Sequence, residues 1–376
     1  MQQTPRILLC ASAVLFIVGT GRGFGEEDVW FKYTAEGAHL REQGRYSEAE
    51  SRYLDAYRLS TDAGEKGERL AESLNNLGSL YSDEGRYGDA ETFARRALEI
   101  RRQISDPKSS EVAVALNNLA EVYRVQAKYR VAEPLYLQAI SIHEETARPN
   151  DRDLAAMLNN LALLRITQGR LSSAEPLLGR AMTIWEKILE PDDPIIGRTA
   201  NNLAGVYARL GRYGDAETII RQTLPILEKA RGQHPLDLAV SLQDLGYLNV
   251  MQQRYSEAEA LYRRALDFLT QAVGPGDALI ASTLNNLGAL YCRQRRYTEA
   301  EALLHRAFEI RLSTSGPQSV AIAEVLANQA VLLRHLKRKG EAKNLEARVR
   351  SIQNAHSREN LENYTVDISA MLAARK

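Results

Sequence analysis

Apolar and small residues recur along this chain with two periods, one nested inside the other. The short period is helical. Leu74, Leu77, Gly78 and Tyr81 stand at i, i+3, i+4 and i+7, one stripe of an α-helix. After the Gly-containing turn Glu84-Gly85-Arg86-Tyr87, a second stripe follows at Ala90, Ala94, Ala97 and Leu98. Small residues on both stripes let two helices approach closely. The long period is 42 residues. Leu74 opens "LNNLG", and the matching strings open at Leu116, Leu158, Ala200, Leu242, Leu284 and Leu326, each 42 residues after the last (116−74, 158−116 and onward). Ala90-Glu91 keeps step at Ala132-Glu133, Ala174-Glu175, Ala216-Glu217, Ala258-Glu259 and Ala300-Glu301. An earlier copy, Ala49-Glu50, lies 41 residues upstream of Ala90-Glu91. Eight helix pairs follow, the first and last degenerate.

One helix pair cannot bury its own apolar stripe, so the pairs must stack, each covering the next. The spacing therefore predicts an all-α solenoid of antiparallel helix pairs. Its parts would be residues 1–25, eight repeats over 26–353, and a capping helix or tail over 354–376. In the last part Val366, Ile368, Met371 and Leu372 are available to cover the final repeat. Pro and Gly in Gly232–Ala239 and Gly274–Ala281 end one unit before the next begins.

Leu, Gly and Tyr on the first helix, with paired Ala on the second, resemble the tetratricopeptide repeat. The 42-residue form with "LNNLA" and "KYRVAEPLYLQAISI" is similar to the repeats of kinesin light chains and their bacterial relatives, over residues 33–353. The resemblance implies a right-handed superhelix that binds proteins or peptides along an inner groove. Departures are visible. Arg165 and Asn249 replace the aromatic at Tyr81 and should loosen packing there. Pro134 and Pro176 fall near a helix start, where a missing N–H matters little. Pro225 falls well inside a second helix and should kink it.

Asparagine pairs fall on a separate arc of the first helix. They are Asn75 and Asn76, Asn117 and Asn118, Asn159 and Asn160, Asn201 and Asn202, Asn285 and Asn286, with Asn328 in the last repeat. Asn is about 0.7 kcal/mol worse than Ala in a helix, so its repetition calls for a reason. In clamp-type repeats of the resembled family this arc touches the ligand, the second position most of all. An amide carries donor and acceptor and suits an extended backbone. The alternative is that the amides bond between repeats and lock the coil. Charges on the same arc run from Glu72, Asp83, Glu121 and Arg124 to Arg198, Arg209, Arg293, Arg334 and His335, with Asp244 and Glu324 among them. An acidic ligand segment would then face Arg198, Arg209 and Arg293.

Composition removes other classes. Lys+Arg and Asp+Glu are both 48, so there is no field for a polyanion and no nucleic-acid partner is expected. Residues 1–25 carry Arg6, an uncharged run from Ile7 to Thr20 and a small-residue end, the pattern of an export signal. That run is short of the roughly 20 residues a membrane span needs, although an uncleaved anchor is the alternative. Bulky Leu9 before Cys10 argues against lipid attachment. Cys292 would be the lone thiol after cleavage and a small filler residue. The six histidines show no metal-ligand spacing, and His143 opens "HEETA" with Ala147 where a second ligand would stand. No catalytic residue, cofactor, metal or small-molecule substrate is expected. A protein or peptide partner outside the cytoplasm is.

Overall fold

The computed structural model describes residues 29–42, 44–62, 67–145, 152–232 and 235–362. Residues 1–25 and the apolar side chains from Val366 to Leu372 lie outside that description. The described residues form sixteen helices: α1 Val29–Glu42, α2 Tyr46–Asp62, α3 Glu68–Asp83, α4 Tyr87–Ile104, α5 Ser110–Val125, α6 Tyr129–Glu145, α7 Arg152–Thr167, α8 Leu171–Ile188, α9 Pro194–Arg209, α10 Tyr213–Lys229, α11 Pro235–Met251, α12 Tyr255–Ala272, α13 Ala278–Arg293, α14 Tyr297–Ser315, α15 Val320–His335 and α16 Lys339–Glu362. They are eight pairs in the expected register, and no strand occurs among the described residues. The fold is a helical solenoid. α16 runs on past Gln353 to Glu362, so the expected boundary there falls inside a helix.

Two compact units divide the chain at Glu190 and Pro191, the first holding α1–α8 and the second α9–α16. In the first unit α1 packs on α3, α3 on α5 and α5 on α7, whereas among the described residues the backbones of α2, α4, α6 and α8 stay apart, Arg180 of α8 reaching Glu144 of α6 through its long side chain. In the second, α9, α11, α13 and α15 are joined the same way. Within each unit the first helices of the pairs are the crowded, inner layer. That layer is the surface the function must be sought on.

Small residues set the spacing inside a pair. Ala90, Ala97, Ala132 and Ala139 are completely buried. A Cβ on Gly246 would sit 2.8 Å from the Tyr262 ring, so no larger residue fits without moving that ring. The turn after each first helix requires a left-handed residue, because its N–H must fold back to cap the helix. Gly85 (φ 75°) supplies it, with Arg86 N–H donating to the Tyr81 carbonyl at 2.8 Å. Ala127, Gln253, Arg295 and Lys337 take the same conformation at φ 59–64°. Four of the first helices are capped at their starts by side chains: Ser109, Asp193, Asp277 and Ser319 each accept a backbone N–H.

The Ala-Glu marker carries a repeated polar tie between pairs. Glu50 accepts from Tyr81 (2.8 Å) and Arg86 (3.1 Å). Glu91 accepts from Tyr123 (3.3 Å) and Lys128 (3.0 Å). Glu217 accepts from Gln252 (2.8 Å) and Arg254 (2.6 Å), and Glu259 from Tyr291 and Arg296, both at 2.7 Å. Burial would raise the Glu91 and Glu217 carboxyls, but hydrogen bonds from Lys128 and Arg95, and from Arg254, Gln252 and Arg221, outweigh it and hold both down to about 2. Arg165, standing where a tyrosine was expected, reaches Glu133 at 2.6 Å and so keeps the tie. Asn249 instead donates to the Leu245 carbonyl of its own helix at 2.8 Å.

The prolines correct one expectation. Pro134 and Pro176 are each the sixth residue of their helix, beyond the turn whose N–H groups lack intrahelical partners. α10 continues through Pro225 to Lys229.

Candidate functional site

The asparagines of the inner layer are not an open row. Asn117, Asn118, Asn159, Asn160, Asn201, Asn202 and Asn285 are at most 5% exposed and Asn76 is 8%, leaving Asn75, Asn286 and Asn328 half-buried. The reason is crowding. With neighbouring first helices in contact, this arc faces the next repeat, and an amide can satisfy that neighbour with both ends. Asn160 Nδ2 donates to Asn117 Oδ1 at 3.2 Å, and Asn328 Nδ2 to Asn285 Oδ1 at 2.9 Å, each spanning 43 residues of sequence. Within a pair Asn117 donates to Asn118 (3.3 Å) and Asn159 to Asn160 (3.4 Å). The reading of these asparagines as an open row facing a ligand is corrected for the eight that are buried, and the alternative, bonding between repeats, holds for Asn117, Asn160, Asn285 and Asn328.

Replacing Asn117 by alanine tests this directly. Asn160 loses its acceptor in a buried seam, so stability should fall by about 1–3 kcal/mol, reduced by the ~0.7 kcal/mol gained in helix propensity. Asn286→Ala should stay within about 0.5 kcal/mol, because that half-buried amide makes no hydrogen bond among the described residues. Urea unfolding of the two variants compares them.

The amide ladder has gaps, and these are the places with unused bonding capacity. Asn75 Oδ1 and Asn76 Nδ2 are buried without a hydrogen-bond partner in the first unit. In the second unit Asp244 occupies the position of the second asparagine and has no amide to donate. Asn201 Oδ1 takes a hydrogen bond from Ser241 at 2.8 Å instead. Beside it Gln243 Nε2 is buried and unpartnered.

The charged residues of the arc behave unequally. Glu121 is sealed from solvent, receives Arg124 through two bonds of 2.6 and 2.8 Å, and accepts from the Tyr136 hydroxyl at 2.6 Å. Arg198 lies 3.7 Å from Asp237 and is largely covered, so it is committed inside its own unit. Burial lowers the Arg209 guanidinium from its ordinary value. Arg293 is exposed at the end of α13. Burial raises the Asp244 carboxyl to about 7 with no cation opposing it. It raises Glu72 to about 7 as well, against the pull of Arg101. An unpaired acid thus sits where the sequence pointed to a basic surface, and sequence reading missed its importance. The signal was there: Asp244 is the one carboxylate in a column of amides.

Cys292 packs against Leu290 and Leu332 and its thiol is pushed up to about 11 by burial, the opposite of an activated nucleophile. Among the described residues no group of three or more His, Cys, Asp or Glu could hold a metal ion, and no helix is long and apolar enough to cross a membrane.

A family model for the tetratricopeptide repeat matches residues 33–103, 70–145, 111–187, 153–229, 195–271 and 279–355. Comparison with curated proteins finds no match. Among solved structures, the apo form of the quorum sensor NprR from B. thuringiensis is 14% identical, covers 88% of this chain and 89% of its own, and has a TM-score of 0.62. A Rap protein complexed with competence and sporulation factor is 14% identical, covers 89% of this chain and 99% of its own, at a TM-score of 0.58. Kinesin light chain TPR-like repeats from Podosopora anserina are 21% identical over 56% of this chain and 99% of theirs, at a TM-score of 0.47.

Proposed function

Because the chain belongs to the tetratricopeptide repeat family, we propose that it is a non-enzymatic scaffold that holds a protein or peptide against the inner layer of its helices, outside the cytoplasm. One observation carries this proposal. The ladder that seals the inner layer is interrupted, and at the interruptions polar groups lie without partners. Each buried amide group left unmet costs roughly 1–3 kcal/mol, and polar groups of a bound chain would supply the missing partners. The Rap relative, caught with competence and sporulation factor, supports a binding role for such a scaffold. The balanced charge argues against nucleic acid, and the signal-like residues 1–25 support export.

A second role is favoured by a different observation. The bonded asparagines stiffen each unit, which suits an assembly subunit that engages partners through its second helices, where Val131 and Leu137 of α6 are exposed.

Selection of random twelve-residue displayed peptides on the full chain separates the two. Inner-layer substitutions Ala289→Arg and Val331→Lys should weaken captured peptides at least tenfold, while Val131→Lys and Leu137→Lys leave them unchanged. Loss on the α6 substitutions alone would assign the second role.

A further inference from the structure

The interruption at Asp244 coincides with a notch. At two inner-layer positions α9 carries Gly205 and Ala208, where α5 carries Glu121 and Arg124 and α7 carries Leu163 and Ile166. The missing side chains leave a small hollow walled by Ala204, Gly205, Ala208, Ile220, Leu248, Tyr247 and Asp244. The surface facing the hollow is almost wholly apolar, with Asp244 and Tyr247 the residues at its edge that carry polar groups. Asp244 makes no hydrogen bond or ion pair among the described residues, and Arg293 influences Tyr247 and Tyr262 rather than Asp244.

We propose that this notch is a recognition site for a primary ammonium group carried by the bound protein or peptide, with Asp244 as its counter-ion. The inference rests on the inner layer being the ligand surface and names what one part of it selects. Size decides between cations. The hollow holds about 10 Å³, close to the room one water needs. An ammonium is a compact point charge of that size, whereas a guanidinium is a planar fork that wants a bidentate acceptor with space on both sides. Burial drives the unpaired carboxyl up to about 7, so an arriving cation stabilises an ionised group that nothing else in the notch stabilises.

Two sources carry this chemistry, a lysine side chain and the amino terminus of a chain. Saturation-transfer NMR on the full chain tests both with small probes: n-butylammonium, n-butylguanidinium and n-butanol, then Nα-acetyl-lysine amide and alanine amide. Butylammonium should show a saturable signal with Kd on the order of 1–10 mM, at least ten times tighter than butylguanidinium and absent for butanol. A signal from acetyl-lysine amide alone assigns a side chain; one from alanine amide alone assigns an amino terminus; one from both leaves the shared ammonium as the determinant, and all three support the site. Asp244→Asn, which places here the residue the neighbouring repeats hold, should abolish the signal, and Ala208→Leu should do so by filling the notch. Equal binding of butanol, no saturable binding of any ammonium, or binding that survives Asp244→Asn overturns the site. If displayed peptides still bind the inner layer while ammonium probes do not, the scaffold role stands and the notch assignment alone falls.

Discussion

Replacing Glu121 by alanine is expected to lower the unfolding free energy of the chain by about 3–5 kcal/mol, the range for breaking a buried ion pair by removing one partner. Glu121 is sealed in the inner layer between Arg124 and Tyr136, both within 2.6 Å. Its removal leaves a guanidinium largely covered and a tyrosine hydroxyl fully buried with no acceptor. Burial by itself would lower the Arg124 pKa; the attraction of Glu121 overcomes this and raises it. Removing both charges should therefore cost far less than removing one. Glu121→Met with Arg124→Met is expected within about 2 kcal/mol of the parent, since well-packed apolar pairs often replace buried ion pairs at little cost. Urea denaturation of the single and double variants measures the coupling. If the alanine variant alone came within about 1 kcal/mol of the parent, the pair would be a solvated one and the sealed packing around Glu121 would be wrong.

Asp244→Asn works in the opposite direction. The folded carboxyl titrates at about 7 against an ordinary value of 3.8, so the folded chain holds a proton that the unfolded chain has released. Between those two values the unfolded state binds fewer protons, and stability falls as pH rises. This reverses the usual aspartate case, in which stability falls on acidification. A shift of this size would be worth about 4 kcal/mol for a sealed group. Asp244 is half-buried, so about 1–3 kcal/mol is expected. The asparagine variant should gain that much over the parent at pH 8 and match it within about 0.5 kcal/mol near pH 4. Thermal unfolding across that range reads the difference directly. A gain at pH 8 together with lost ammonium binding would show a carboxylate kept for its ligand at a cost in stability.

The repeat was written plainly in the chain. Leu74, Gly78 and Ala90 carry the helix pairing because their spacing and size directly encode which faces meet, and such local information survives folding unchanged. The identity of the inner layer was legible for the same reason. What the chain did not disclose was whether Asn117 and its counterparts face solvent or the next repeat. That depends on how tightly successive first helices crowd, a distance set by packing between repeats rather than within one. Arg165 shows a second limit. By itself it breaks the aromatic pattern, yet its fork reaches Glu133 and restores the tie that Tyr123 makes to Glu91. The notch at Gly205 and Ala208 needed the neighbouring Asp244 and Tyr247 to acquire meaning, and those come from the following repeat.

Hydrogen–deuterium exchange of the full chain, with and without a peptide captured from the displayed library, tests the placement of the ligand most directly. Added protection is expected on the odd-numbered helices of one unit, α3, α5 and α7 or α9, α11 and α13, with the even-numbered helices unchanged. Protection confined to the even-numbered helices would contradict it and make the second helices the partner surface.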